Sequence, residues 1–376
     1  LRALSAEHAS SGVRTARFLG ALPDARALVG GFMPGEADFR QATNDTDRAA
    51  VAADFMGQLA RLHAIDVAVT PVPELGPLLP PSVVVRGHIA KLRASTLETG
   101  RDPLILLTLD WLDANVPPDP ARTVIVHCDG GPGNFLYAGR GVMALLEWEL
   151  LYYGDAMADL MICLRTLIQP CVPLPQAFAD YEAAGGVPVD LDRVRFYRIY
   201  FQARFARSAS RLFDASVPPP PVIGTSILYG MLHLRVLGEA LAEASGVILG
   251  PVGFLDAPPG VRERFFDVAL DDLKDAIVPR LDQQAAAKAK GLARLVKWRK
   301  RSERYAAAYE AVEIGQALGS AHADLAEARC VHAGNPRSPH RSGAGAGALP
   351  PAHRARHRSA ERFNGRLYEP ALCAIE

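Results

Sequence analysis

Long apolar runs, paired cysteines and net charge are all missing from this chain. No uninterrupted apolar stretch approaches the roughly eighteen residues of a membrane-spanning helix, so the sequence predicts no membrane partner. The first residues lack the basic-then-apolar order of a secretory leader, and the sequence opens on Leu1 rather than Met. Five cysteines (Cys128, Cys163, Cys171, Cys330 and Cys373) are odd in number and without paired spacing. That points to reduced thiols in a cytoplasm rather than a disulfide framework. Lys plus Arg number 41, as do Asp plus Glu, so no net field draws the chain to nucleic acid. No internal repeat is visible.

What is present is enough for a core. The chain has 376 residues, 49% of them hydrophobic, which allows two domains. Near the start, Arg17-Phe18-Leu19, after a short helix end, and residues 27–33 read as strands, the second stopped by the turn Pro34-Gly35-Glu36. Phe55, Leu59 and Leu62 recur at helical spacing between Asp47 and Ile65, with Asp47 as the expected N-cap. A Pro-rich loop follows over residues 71–81. Asp102-Pro103 opens a second helix with Asp102 as its cap. Asp155 to Ile168 predicts a half-buried helix with Asp155 at its cap. Further helices are expected at about 191–214, 225–245 and 261–281. Residues 284–328 are Ala-, Lys- and Arg-rich with helical spacing, and residues 331–376 read as a disordered tail. Strands confined to the start and to residues 123–149, with helices elsewhere, make an α+β chain.

The chemistry concentrates in one stretch. His127-Cys128-Asp129-Gly130-Gly131-Pro132-Gly133-Asn134 follows the apolar run Thr123–Val126, and Glu147-Trp148-Glu149 follows the next run, Gly141–Leu146. A carboxylate, a loop tightened by glycine and proline, an amide oxygen and a second carboxylate at a strand end form a usable set. Phosphoryl transfer needs a base to orient a hydroxyl and oxygen ligands for magnesium.

These residues, with Gly154-Asp155 and Asp159-Leu160, resemble the aminoglycoside phosphotransferase and choline kinase family. Gln58-Leu59-Ala60-Arg61-Leu62-His63-Ala64-Ile65 is similar to the helix which that family places before its catalytic half. Phe32-Met33-Pro34-Gly35-Glu36 resembles its hinge. Trp148-Glu149-Leu150 with Ala158-Asp159-Leu160 is most similar to the branch associated with acyl-CoA dehydrogenases. The resemblance spans roughly residues 1–300. It implies a protein-kinase-like fold, with a truncated small lobe and hinge at residues 1–36, a helical catalytic lobe at 37–283 and a basic helical extension at 284–330. It further implies that Asp129 is the catalytic base and that Asn134 and Glu147, with Glu149 able to share the task, hold magnesium. His127 and Asp159 would support the catalytic loop, and Phe32 and Met33 would meet the nucleotide. The implied cofactors are ATP and Mg2+, and the implied partner is a small molecule bearing a hydroxyl.

Two departures from the family pattern stand out. Glu147 occupies a place where Asp is usual, and one methylene shifts a carboxylate by about 1.5 Å, a displacement magnesium tolerates poorly. Glu149 is expected on the same face if the strand continues through it. The second departure is that no lysine precedes Lys91 and the early glycines form no nucleotide-binding turn. If Leu1–Leu4 matches the end of the helix carrying the usual Glu, that part of the small lobe lies upstream of residue 1. The rival to an active kinase is a kinase-like remnant that binds without turnover.

Each residue also has a plainer reading. Asp129 alone would be a turn residue, Asp155 a helix cap, and Glu147 and Glu149 exposed strand-end charges. His63 reads as a packed or capping histidine. Asp159, an acid in an apolar helix, reads as a buried hydrogen-bonding residue. Tyr197, Tyr200, Phe201 and Arg204 share a helix that could border the acceptor, but ordinary packing explains them residue by residue. The basic run from Lys288 to Arg304 reads as a solvated helix face rather than a nucleic-acid site.

Overall fold

In the computed structural model, residues 11–22, 24, 27–39, 44–98, 102–162, 165–166, 169–213, 218–220, 223–249 and 257–317 are described. The expected tail and the end of the basic extension, from residue 318 on, lie outside them, as does the helix end expected before residue 11. The described residues fall into two compact units. The first holds the chain up to His88 together with Asn115–Arg198, and the second holds Ile89–Ala114 and the chain from Ile199 on.

The first unit begins with an antiparallel hairpin, β1 (Phe18–Leu22) and β2 (Ala27–Gly30), paired Phe18 to Gly30 with a bulge before Gly20. The chain then meets the next sheet at one point. Glu36 and Tyr137 exchange backbone hydrogen bonds of 2.9 and 3.0 Å. Gly35 makes this crossing possible. Its φ is +144°, and a Cβ there would sit 2.9 Å from the Tyr137 carbonyl oxygen.

Helix α1 (Asp45–Ala64) starts one turn earlier than expected. Its cap is Asn44 rather than Asp47: the Asn44 side chain accepts from the Asp47 N–H at 2.8 Å and donates to the Asp47 carboxylate at 2.7 Å. The fully buried Val51, Phe55, Leu59 and Leu62 line the apolar face of this helix. Phe55 meets Phe135 at a ring distance of 4.9 Å, and Phe39 meets Phe135 at 5.6 Å. The Pro80-Pro81 pair and the β-branched run Val83-Val84-Val85 disguise a helix, α2 (Pro81–Glu98), that the sequence pattern does not announce. Proline suits its first position, where an N–H would go unpaired. Asp102 caps α3 (Pro103–Ala114) as expected, accepting from the N–H groups of Leu104 and Ile105.

Two short antiparallel pairs carry the motif. β3 (Val124–Val126) pairs with β6 (Tyr152–Gly154), and β4 (Phe135–Ala138) pairs with β5 (Gly141–Leu145). β3 is buried throughout, so all three of its residues are apolar. Of the helix expected over 155–168, α4 covers Met157–Ile162, and Arg165–Thr166 form instead a strand, β7, paired with β8 (Gln169–Pro170). Asp155 does open α4, accepting from the Met157 N–H at 3.0 Å. A further helix not anticipated, α5 (Leu174–Ala183), packs against α1.

α6 (Leu191–Ser210) runs from the first unit into the second. The second unit adds α7 (Ile223–Ala244), α8 (Glu263–Asp271), whose helical path continues in wider and tighter turns to Arg280, and α9 (Gln283–Ala317). α7 and α9 cross at two glycines, and a Cβ on Gly224 would come within 2.0 Å of the Gly291 carbonyl oxygen. The basic face of α9 meets acids, with Lys300 2.6 Å from Asp267 and 3.7 Å from Glu263. No described helix is long and apolar enough to cross a membrane.

The Gly35 crossing yields a direct expectation. Gly35→Ala forces a side chain into a left-handed backbone pressed against a fixed carbonyl, so it should destabilise the chain by about 1–3 kcal/mol. Denaturant unfolding measures it, and an unchanged midpoint would contradict the described crossing.

Candidate active site

The loop after β3 turns sharply out of its strand. Cys128 has φ +70°, a left-handed conformation for a residue with a side chain. Such a conformation costs roughly 1–2 kcal/mol. Asp159, fully buried on α4, compensates. Its Oδ2 accepts from the His127 N–H at 2.8 Å and its Oδ1 from the Cys128 N–H at 2.7 Å. Hydrogen bonds to a charged group each contribute about 1.5–3 kcal/mol, so the pair outweighs the strain.

Burial alone would push the Asp159 carboxyl up. The hydrogen bond and charge of His63, with the charge and backbone N–H of His127, outweigh it and hold the carboxyl below its usual range. The His63 contact is Nε2 to Oδ2 at 3.0 Å, and His63 Nδ1 lies 2.8 Å from the Tyr181 hydroxyl. Both side chains are buried. Sequence reasoning left His63 as a packed histidine and did not raise Tyr181. Only the position of His63 beside the apolar helix stripe hinted at a buried role.

His127 is also fully buried, its ring 4.5 Å from that of Trp148. Its Nδ1 accepts from the Asp129 N–H at 3.3 Å, while Nε2 finds no hydrogen-bond partner of good geometry although the Leu146 carbonyl lies near. Desolvation therefore dominates and holds the imidazole below its ordinary pKa, against the charge of Asp159. Gly130 keeps the loop close to α1, since a Cβ there would meet the Phe55 ring at 3.3 Å.

Asp129 and Asn134 are half-buried and joined: Asn134 Nδ2 donates to the Asp129 carbonyl at 2.8 Å. Asn134 is tied to the second acidic element as well, because the Leu146 N–H donates to its carbonyl at 2.8 Å. That bond extends the β4–β5 pairing and brings Asn134 beside the backbone of Leu146, the residue before Glu147.

The strand does not continue through Glu149 as expected. β5 ends at Leu145, Glu147 takes a left-handed conformation (φ +57°), and Trp148–Leu150 form a tight 3₁₀ turn. Trp148 goes inward and donates its indole N–H to the Leu145 carbonyl at 2.9 Å, while Glu147 and Glu149 are exposed. The two acids are nonetheless close. The charge of Glu149, a side-chain hydrogen bond between them and a little burial raise the Glu147 carboxyl above its ordinary pKa. The turn, rather than the strand period, brings them together.

In the hinge segment, Phe32 is 92% exposed and Met33 half-buried, and Glu36 anchors the segment to β4 through Tyr137. On α6, Tyr197, Tyr200 and Phe201 are buried, and the Arg204 guanidinium lies 5.5 Å from the centre of the Phe201 ring, as core packing requires.

A family model described as the phosphotransferase enzyme family matches residues 1–197. The chain belongs to that family. Among solved structures, a Ralstonia eutropha protein assigned to the aminoglycoside phosphotransferases superposes with a TM-score of 0.51 at 20% identity, covering 64% of this chain and 81% of that one. A thermostable mutant of an aminoglycoside phosphotransferase, in its apo form, gives 0.50 at 16% identity, covering 65% and 83%. The fold of this phosphotransferase-family chain is thus protein-kinase-like, with small sheets and a largely helical remainder. Mouse acyl-CoA dehydrogenase family member 10 is 28% identical over 146 residues, which are 37% of this chain but only 13% of that protein.

The buried charges set a pH dependence. His127 is held below its unfolded value near 6.5, so the unfolded chain takes up a proton there that the folded chain refuses. His233, half-buried in the second unit, is pushed down to about 4 by desolvation and acts in the same sense. Asp159 is held below its unfolded value near 3.9, so its contribution is present above that value and lost as pH falls through the lower folded one. The two histidines make stability fall as pH drops below about 6.5, and Asp159 adds to the fall only below about 3.9. Denaturant unfolding at pH 7.5 and pH 5 should give the lower free energy at pH 5; an equal or higher value there would contradict these burials.

Proposed function

We propose that this chain moves the terminal phosphoryl group of ATP to a hydroxyl of a small molecule. The observation that carries the proposal is the double attachment of Asn134: its side chain to the Asp129 carbonyl, and its carbonyl to the Leu146 N–H. One loop thereby carries both Asp129 and Asn134, and its far end is tied to the residue before Glu147. Family membership supports phosphotransfer in general terms.

In this scheme Asp129 accepts the acceptor's hydroxyl proton and aligns its oxygen for in-line attack on the terminal phosphorus. His127 and Asp159 keep the loop backbone in place. The exposed Phe32 and the backbone around Met33 would meet the nucleotide base. Asn134 and Glu147, with Glu149 beside them, would hold magnesium. The donors are all oxygen, as a hard cation requires, and a cation would relieve the repulsion that raises Glu147. Among the described residues no group of three or more His, Cys, Asp or Glu could hold a metal by itself. That suits magnesium, which is commonly bound by one or two carboxylates together with substrate phosphates and water. Bound there, it would neutralise charge on the phosphate oxygens. A reducing cytoplasm suits the thiols of Cys128 and Cys171.

A second reading is binding without turnover. Thermal denaturation and ADP release together separate the two. Millimolar Mg-ATP should raise the melting temperature by a few degrees, and magnesium alone should not. No rise with Mg-ATP would sink the nucleotide assignment. Tested against aminoglycoside, choline-like, sugar and hydroxyacyl-thioester acceptors, Asp129→Asn should lower ADP release by roughly 10²–10⁴-fold and keep the thermal rise. A thermal rise with no ADP release from the unaltered chain would favour the binding protein.

A further inference from the structure

We infer that His63 and Tyr181 are positioning residues for the loop that carries Asp129, acting through Asp159. The inference rests on the phosphotransfer reading above. Asp159 is an acceptor on both oxygens and receives the His127 and Cys128 N–H groups, so the hydrogen shared with His63 sits on Nε2. In the neutral ring Nδ1 then accepts the Tyr181 hydroxyl hydrogen; in the protonated ring it donates to the same oxygen. Either way the chain Tyr181–His63–Asp159–loop backbone is closed.

Several features hold this chain rigid. Tyr181 is fully buried, and the turn after α5 folds over its ring so tightly that a Cβ on Gly186 would lie 2.3 Å from it. The Val187 backbone N–H lies against its hydroxyl. At the other end, the Arg122 guanidinium donates to the His63 carbonyl and fixes the last turn of α1. Neither His63 nor Tyr181 belongs to the loop, yet together they settle the rotation of the Asp159 carboxylate that grips it. Cys128 needs that grip, because its left-handed backbone sets the direction in which Asp129 leaves β3. A displacement of about 1 Å at a reacting group can cost on the order of 10²-fold in rate. Loosening Asp159 should therefore show in turnover before it shows in binding.

The test uses the full chain with Mg-ATP and water as acceptor, reading inorganic phosphate release, alongside amide hydrogen exchange over residues 123–135. His63→Ala should lower kcat by roughly 10–100-fold with KM for Mg-ATP nearly unchanged. His63→Gln should recover part of the loss, since its amide can donate to the same carboxylate oxygen. Tyr181→Phe keeps the buried ring and removes only the hydroxyl; it guards against a variant that fails to fold, and should lower kcat by a smaller factor. Adding Tyr181→Phe to His63→Ala should cost little more, because the two act in series. Exchange at His127 and Cys128 should quicken in His63→Ala and Tyr181→Phe. Unchanged kcat in a folded Tyr181→Phe and a folded His63→Ala would overturn the inference. So would a loss confined to KM, or Gln no better than Ala. If the unaltered chain transfers phosphate neither to water nor to any of the hydroxyl acceptors named above, the phosphotransfer reading is what fails. Exchange then decides on its own: faster exchange in the variants upholds the positioning of the loop, and unchanged exchange overturns it.

Discussion

A carboxylate with no access to water must find its compensation in the protein around it, and Asp159 does so with two backbone N–H groups and one imidazole. The direction of the loop, the strained backbone at Cys128 and the placing of Asp129 all depend on that arrangement. Burial by itself would favour the neutral acid, which would keep only part of its accepting capacity. The three donors reverse that preference and keep both oxygens available. Hydrophobic packing fixes where β3 and α4 lie, and the Asp159 carboxylate grips the backbone by which the chain leaves β3.

The second acidic element is built on different physics. Trp148 is driven inward by its size and held by a hydrogen bond to the Leu145 carbonyl. The left-handed residue before it turns both glutamates out toward water. Two like charges held this close raise each other's free energy, and the raised Glu147 carboxyl is the sign of it. Glutamate in place of aspartate lengthens the reach of a side chain that starts from a left-handed backbone. The substitution and the turn therefore have to be judged together, as one way of placing an oxygen.

Much of this was legible in the sequence, and the physical reason is locality. His127, Asp129 and Asn134 lie within one loop between two apolar runs, and Asp102 and Asp155 announce helix starts by spacing alone. What escaped was of two kinds. His63 and Tyr181 meet across 118 positions, and His63 and Asp159 across 96, so no window of sequence shows the chain they form. The helix over Pro81–Glu98 escaped because it opens on a proline pair and a run of valines, which carry no helix signal, and the turn at Trp148–Leu150 because the strand before it suggested extended backbone through Glu149. The capping of α1 was misplaced by three residues for a simpler reason: Asn44 and Asp47 are both good caps, and the earlier one engages the later.

Transfer of a phosphoryl group by the Asp129 loop and the Glu147 turn acting together is the proposed activity. It is tested most directly by following the phosphorus of ATP by ³¹P NMR while the chain, magnesium and a pool of hydroxyl-bearing small molecules are present. The expected result is a new phosphomonoester resonance growing in step with ADP and absent when magnesium is withheld. A spectrum in which ATP persists, or yields only ADP and inorganic phosphate with every acceptor, would contradict it.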